Sequence, residues 1–348
     1  MAEQVYLDYN ASAPLCPEAK QDMIAAMDVA GNPSSVHASG RAARKIVDHA
    51  RRTIAELVGG DSERIIFTSG GTEANSLALN GLEDVTVFTS AVEHPSVIEG
   101  RHDAKRIPVD GNGVIDLSAL EAMLKEASDI GQKVLVSVML ANNETGVLQP
   151  VADVAALAHE HGALIHCDAV QAAGKMAIDF RTLGCDLMSL SAHKIGGPSG
   201  VGALVVTSGV EGDLALIPML RGGGQERGRR AGTENVPGIA GFGAAARAAR
   251  EGLTDFARLG RWRERIENRL RQHADSRVYG FGAPRLANTS CLTMPGVEAE
   301  TQVIQLDLAG VAVSAGAACS SGKVEPSRVL AAMGVDANEA ATAIRVSL

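Results

Sequence analysis

The chain has 348 residues, which at roughly 150 per domain suits two domains, or one large domain with an appendage, and leaves room for a sizeable core. Hydrophobic residues make up 46% and charged residues 21%, so a disordered, collagen-like or low-complexity chain is excluded. Net charge is -9, and the aromatic complement is one Trp, three Tyr and six Phe; neither a phosphate-collecting surface nor a stacking platform for nucleic acid is expected.

Residues 1–10 lack a basic stretch followed by an apolar core. The longest apolar run, 134–141 with Ser137 inside it, is far below the roughly 18 residues needed to span a bilayer, so no membrane is expected and a cytoplasmic location is. Ile46, Ala50, Ile54, Leu57 and Val58 recur at helical spacing and stop at Gly59-Gly60, which predicts an amphipathic helix with a C-terminal glycine. From there, short β-branched runs at 64–68, 85–89, 134–139, 163–167, 187–191 and 203–206 alternate with helical stretches. That alternation predicts an α/β fold with a mostly parallel sheet covered by helices on both faces, and a ligand at the carboxyl ends of the strands. Residues 235–275, rich in Ala, Arg and Leu, read as one long helix or two, bridging to a second unit. A strand at 290–294, a helix at 298–308, a strand at 311–314 and a small-residue loop at 315–322 follow.

Three positions could carry chemistry together. Asp168 closes the apolar run 163–167, and Lys194 follows 187–192, so both sit at a strand's carboxyl end. A lysine there can form a Schiff base with a carbonyl cofactor, and a carboxylate can keep a pyridine nitrogen protonated. Each alone also reads as an ordinary surface lysine or an N-capping Asp. Thr68-Ser69-Gly70-Gly71-Thr72-Glu73 joins a strand to a helical run at 74–82; its amides and hydroxyls suit a phosphate, or a plain N-cap with Glu73 supporting the first turn. His159, His161 and His166 lack metal-ligand spacing, so no metal is expected. Arg221 to Arg230 gathers arginines among glycines, but no aromatics interleave.

The five cysteines are an odd, widely spaced set without a C-x-x-C pair and read as reduced thiols. Cys167, Cys185 and Cys291 adjoin apolar or strand residues and read as small buried hydrophobes, while Cys16 precedes a helix. Cys319 differs: in Ala315-Gly316-Ala317-Ala318-Cys319-Ser320-Ser321-Gly322 nothing bulky can anchor a core.

Taken in order, Tyr6-Leu7-Asp8-Tyr9-Asn10-Ala11, Gly31-Asn32-Pro33-Ser34-Ser35 with His37, Ser69 to Glu73, Glu93-His94, Asn142-Asn143-Glu144-Thr145-Gly146, His166-Cys167-Asp168 with Gln171, Ser191-Ala192-His193-Lys194, and the glycine-arginine stretch 222–235 resemble a cysteine desulfurase of the class V aminotransferase group. The segment around Cys319 resembles the group I loop, that of iron-sulfur cluster and nitrogenase maturation. The resemblance implies a fold-type I transferase dependent on pyridoxal 5'-phosphate. Its large domain, 15–250, would hold a seven-stranded mostly parallel sheet between helices, and a smaller α/β domain would be built from 1–14 and 251–348.

By the same resemblance Lys194 would carry the cofactor, Asp168 would pair with its pyridinium nitrogen, His94 would stack on the ring, and Gln171 would meet its phenolic oxygen. Gly71, Thr72, Ser191 and His193 would hold the phosphate, with Thr233 reaching in from a neighbouring subunit of a homodimer. Asn143, Arg345 and Asn10 would bind the substrate, L-cysteine, and Asn143 would also meet the cofactor. Cys319, with Lys194 and His94, would be catalytic, taking sulfur as a persulfide for a sulfur-acceptor protein of the iron-sulfur scaffold type. Ser12, Ala192 and Ala317 depart from the family pattern without removing a role. Similar proteins continue beyond Leu348 with further helices, so the small domain is expected to be short of its C-terminal part. An aminotransferase or selenocysteine lyase on the same scaffold, or a sulfur-handling scaffold without catalysis, are the rival readings.

Overall fold

In the computed structural model, residues 4–209, 212–315 and 327–348 are described. Cys319 and its loop lie outside them. The central sheet has seven strands in the order Ile65–Thr68, Gly202–Val206, Leu187–Ser191, Leu164–Asp168, Lys133–Met139, Val85–Ser90 and Lys105–Ile107. All run parallel except Gly202–Val206, which is antiparallel to both of its neighbours. The middle strands are buried almost end to end because helices cover both faces, which is why their sequences read as continuous apolar runs. Lys105–Ile107 is the exception. A three-residue strand carrying Lys105 and Arg106 gives no apolar signal, and charge on an edge strand discourages pairing with further chains.

The helix Ala38–Val58 ends as its spacing predicts, with Gly59 at φ 65° donating its N–H to Ala55. Only glycine takes that left-handed turn without strain. At its other end the ring of His37 accepts the N–H of Gly40, and its body packs on the helix Val236–Glu251. The stretch 235–275 is neither one helix nor two: it forms Val236–Glu251, Leu253–Ala257 and Leu259–His273, with Gly252 ending the first.

A second, four-stranded antiparallel sheet runs Arg277–Val278, Thr289–Thr293, Ala343–Ser347 and Ser314–Ala315. The expected strand at 311–314 is split around Val313. Val311–Ala312 pairs instead with Val5–Tyr6, and Asp8 bridges to Ser347, so residues 5–8 are woven into the C-terminal part. Leu292, Ala299, Val313, Ala315, Ile344 and Val346 form a separate apolar cluster under this sheet. Among the described residues no helix is long and apolar enough to cross a membrane.

Candidate active site

The carboxyl ends of the parallel strands open into a cavity of about 330 Å³. Asp168 and Ser191 are the last residues of their strands, and the one-turn helix Ala192–Lys194 follows the latter. Gly71, Thr72, His94, Asn143, Gln171 and His193 line the cavity with them, and Asn10 and Arg345 close it from the two ends of the chain. Of the expected site residues, Thr233 is exposed and outside this cavity, and Cys319 lies beyond the described residues.

The N-terminus of the helix Gly71–Asn80 lines the cavity. Its N-cap, Gly70, offers no side-chain acceptor, so the first amides have no intrahelical partner and carry the positive end of the helix dipole. The hydroxyls of Thr72 and Ser191 and the ring of His193 stand in the same wall. A Cβ on Gly71 would come within 2.9 Å of Val170 Cγ2, so glycine is what allows the close approach. Glu73 points away from this cradle: Oε2 accepts the Ser69 N–H at 2.6 Å, and Oε1 meets Arg230 Nε at 2.9 Å. Burial opposes its ionisation, but these hydrogen bonds prevail and hold its carboxyl below the usual range.

Asp168 is fixed by two donors. Asn75 Nδ2 lies 2.7 Å from Oδ2, and the Val170 N–H lies 2.9 Å from Oδ1. Asn75 also donates to Ser96 Oγ at 2.8 Å, and Ser96 Oγ is 2.8 Å from His94 Nδ1, so the carboxylate and the histidine share one hydrogen-bonded chain. Burial, reinforced by Lys194 and opposed by Asp168, lowers the His94 pKa and favours a neutral ring. The helical pattern of 74–82 hides Asn75, whose only signal is a polar residue on the buried face of that helix, and Ser96 lies in the short helix Pro95–Ile98, which the sequence pattern does not mark.

Lys194 Nζ donates to the carbonyls of Asn10 at 2.6 Å and Ala11 at 2.8 Å. The Asn10 carbonyl also accepts Gln171 Nε2 at 3.0 Å. Arg345 lies between strands, with Nη2 on Asp8 Oδ1 at 2.8 Å and Ser314 Oγ at 3.2 Å, and Nη1 on the Asn143 carbonyl at 3.1 Å. Its Nε and the Oδ1 of Asn143 are buried without a partner among the described residues. Cys167, Cys185 and Cys291 are buried, as expected.

The class-V aminotransferase profile matches residues 5–348, and the chain belongs to that family. It is similar to a protein named cysteine desulfurase from Cereibacter sphaeroides, 46% identical, over 99% of this chain and 91% of that one. Among solved structures it resembles a NifS-like protein from Rickettsia africae, with a TM-score of 0.90 and 36% identity, over 99% of this chain and 94% of that one. A structure titled SspA in complex with cysteine matches with a TM-score of 0.81 and 28% identity, over 99% and 98% of the two chains.

Enzymes of this class depend on pyridoxal 5'-phosphate, and the residues present fit it. The cradle at Gly71 and Thr72 supplies N–H and hydroxyl donors for a phosphate, Asp168 keeps lone pairs free for a ring N–H, and Lys194 supplies an amine. The three groups line one cavity.

Proposed function

We propose that the protein is a cysteine desulfurase, converting L-cysteine to L-alanine and leaving the sulfur on Cys319 as a persulfide. The observation that carries this reading is the convergence of Lys194, Asp168, His94 and Arg345 on one cavity. When bound, pyridoxal phosphate supplies a carbonyl that bonds to amines and a protonated ring that draws electrons from the substrate's Cα.

Around it the chain's own residues divide the work. Lys194 would hold the cofactor, and Gly71, Thr72, Ser191 and His193 would take its phosphate. Asp168, oriented by Asn75, would pair with the ring nitrogen, while His94 stacks and Gln171 meets the phenolic oxygen. Arg345 and Asn143, with Asn10 beside them, would receive the substrate carboxylate; a planar guanidinium suits that group. Lys194 Nζ moves the proton from the substrate's Cα. The Cys319 thiolate takes the sulfur: its bond to Cβ breaks, a sulfur–sulfur bond forms, and the electron pair left on carbon gains a proton, giving alanine. A sulfur-acceptor protein, such as an iron-sulfur scaffold, then receives the persulfide sulfur in the cytoplasm.

On this reading 15–250 form a large cofactor domain, and 1–14 with 251–348 a smaller one. The protein works as a homodimer in which Thr233 serves the partner's cavity; its exposure outside its own cavity supports this. To test the activity, cofactor-loaded protein is given L-cysteine, and alanine and protein-bound persulfide are quantified. Without added reductant equal amounts of both are expected from the parent, and a thiol reductant then frees the persulfide sulfur as sulfide. Cys319→Ser should keep the cofactor trapped on Lys194 by borohydride yet release no sulfide. Sulfide release at the parent rate from that variant would remove Cys319 from the mechanism, and failure to trap cofactor on Lys194 would favour a non-catalytic scaffold.

A further inference from the structure

Lys175 is a buried lysine that the roles above do not use. It follows Gly174 in the turn after Asp168, at 6% exposure, and no carboxylate pairs with it among the described residues. Its Nζ donates to Asn10 Oδ1 at 2.7 Å and to Gln171 Oε1 at 2.9 Å. Burial, with the like charges of Lys194 and Arg345 behind it, holds its ammonium well below the usual lysine range. An apolar side chain would fill this place without burying an amine.

What the amine adds is orientation. Charged or neutral, the lysine nitrogen carries at least two N–H donors, enough for both of these oxygens, whereas a primary amide presents oxygen on one side and N–H on the other and can turn over. With Lys175 on both oxygens, and Asn288 Nδ2 also donating to Asn10 Oδ1 at 3.1 Å, Asn10 Nδ2 is committed to the Asn143 carbonyl at 3.2 Å and Thr289 Oγ1 at 2.9 Å. Gln171 Nε2 sends one hydrogen to the Asn10 carbonyl and keeps the second. Gln171 lines the cavity. We propose that Lys175 is a positioning residue that fixes the amides of Asn10 and Gln171, so that Gln171 presents an N–H to the phenolic oxygen of the cofactor. This rests on the cofactor reading above.

The test uses full-length, cofactor-loaded protein and its absorbance. In Lys175→Met, cofactor still traps on Lys194 with borohydride, and the pH midpoint of its long-wavelength absorbance rises by about 0.5 to 1 unit, the equivalent of one lost hydrogen bond. In a Gln171→Leu background the same lysine substitution shifts the midpoint no further, because the effect passes through Gln171. An unmoved midpoint in Lys175→Met, or a full additional shift in the Gln171→Leu background, overturns the proposal. If Lys175→Met does not fold, Lys175→Gln replaces it with the same expected shift. If neither folds, the lysine is a folding element and the proposal falls. Absence of trapped cofactor in the parent would instead defeat the cofactor reading.

Discussion

Asn75 decides how Asp168 sits. The 2.7 Å hydrogen bond between them is buried, and Asn75→Leu would strand the carboxylate oxygen at a cost of about 1 to 3 kcal/mol. We expect that variant to melt lower and to bind cofactor more weakly, as read by calorimetry and by cofactor titration; unchanged affinity would show that Val170 suffices. Glu144 offers a second measurement at this scale. Burial lifts its carboxyl to about 7, against opposing effects of Ser327 and Arg345, and Ser327 Oγ donates to Oε2 at 2.5 Å. Its pKa is raised on folding, so the folded chain keeps a proton that the unfolded chain releases, and this group's stabilisation falls as pH rises from about 4.5 to 7. Glu144→Gln should therefore gain on the parent across that window, by about 3 kcal/mol at most, in denaturant unfolding at several pH values. Parallel stability curves would refute it. Lys194, Asp168 and Thr72 are legible in the sequence because each ends or follows an apolar run. Asn75, Ser96 and Lys175 are not, because their importance lies in contacts between segments that no local pattern records.

Between elements, Glu226 ties the arginine-rich loop to the sheet, beside the pairs Arg230–Glu73 and Arg227–Glu63. Glu226, at φ 46° in the left-handed region, receives Arg51 through two hydrogen bonds of 2.8 Å and the Phe67 N–H at 2.9 Å. Both charged side chains are largely buried, so Glu226→Ala leaves Arg51 unpaired in the interior. We expect a loss of about 3 to 5 kcal/mol, with faster amide exchange at Phe67, and recovery of most of the loss on pairing Glu226→Leu with Arg51→Met. A loss below about 1 kcal/mol would mean that water reaches the pair. The expected strands of the central sheet match because they are buried on both faces. Lys105–Ile107 and the division of 235–275 were hidden for the opposite reason: the edge strand is charged, and the breaks near Gly252 and Arg258 interrupt an otherwise helix-favouring composition.

For the whole molecule, the exposure of Thr233 makes the dimer testable by mixing. If Thr233 serves the partner's cavity, Lys194→Ala and Thr233→Ala chains, each inactive or impaired alone, regain roughly a quarter of parental activity when subunits are reshuffled, since half the dimers are mixed and each carries one intact site. No recovery would place Thr233 on its own chain's site or outside the reaction. The weaving of both chain ends into one cavity also has a consequence in time. The hydrogen bonds from Asn10 to Thr289 and from Arg345 to Asn143 span 279 and 202 positions. A ribosome adding about 5 to 20 residues per second makes Arg345 roughly 8 to 30 seconds after Lys194. During that interval the nascent chain holds the amine, the carboxylate and the phosphate cradle but not the guanidinium, so the groups assigned to the cofactor are synthesised well before the one assigned to the substrate's carboxylate.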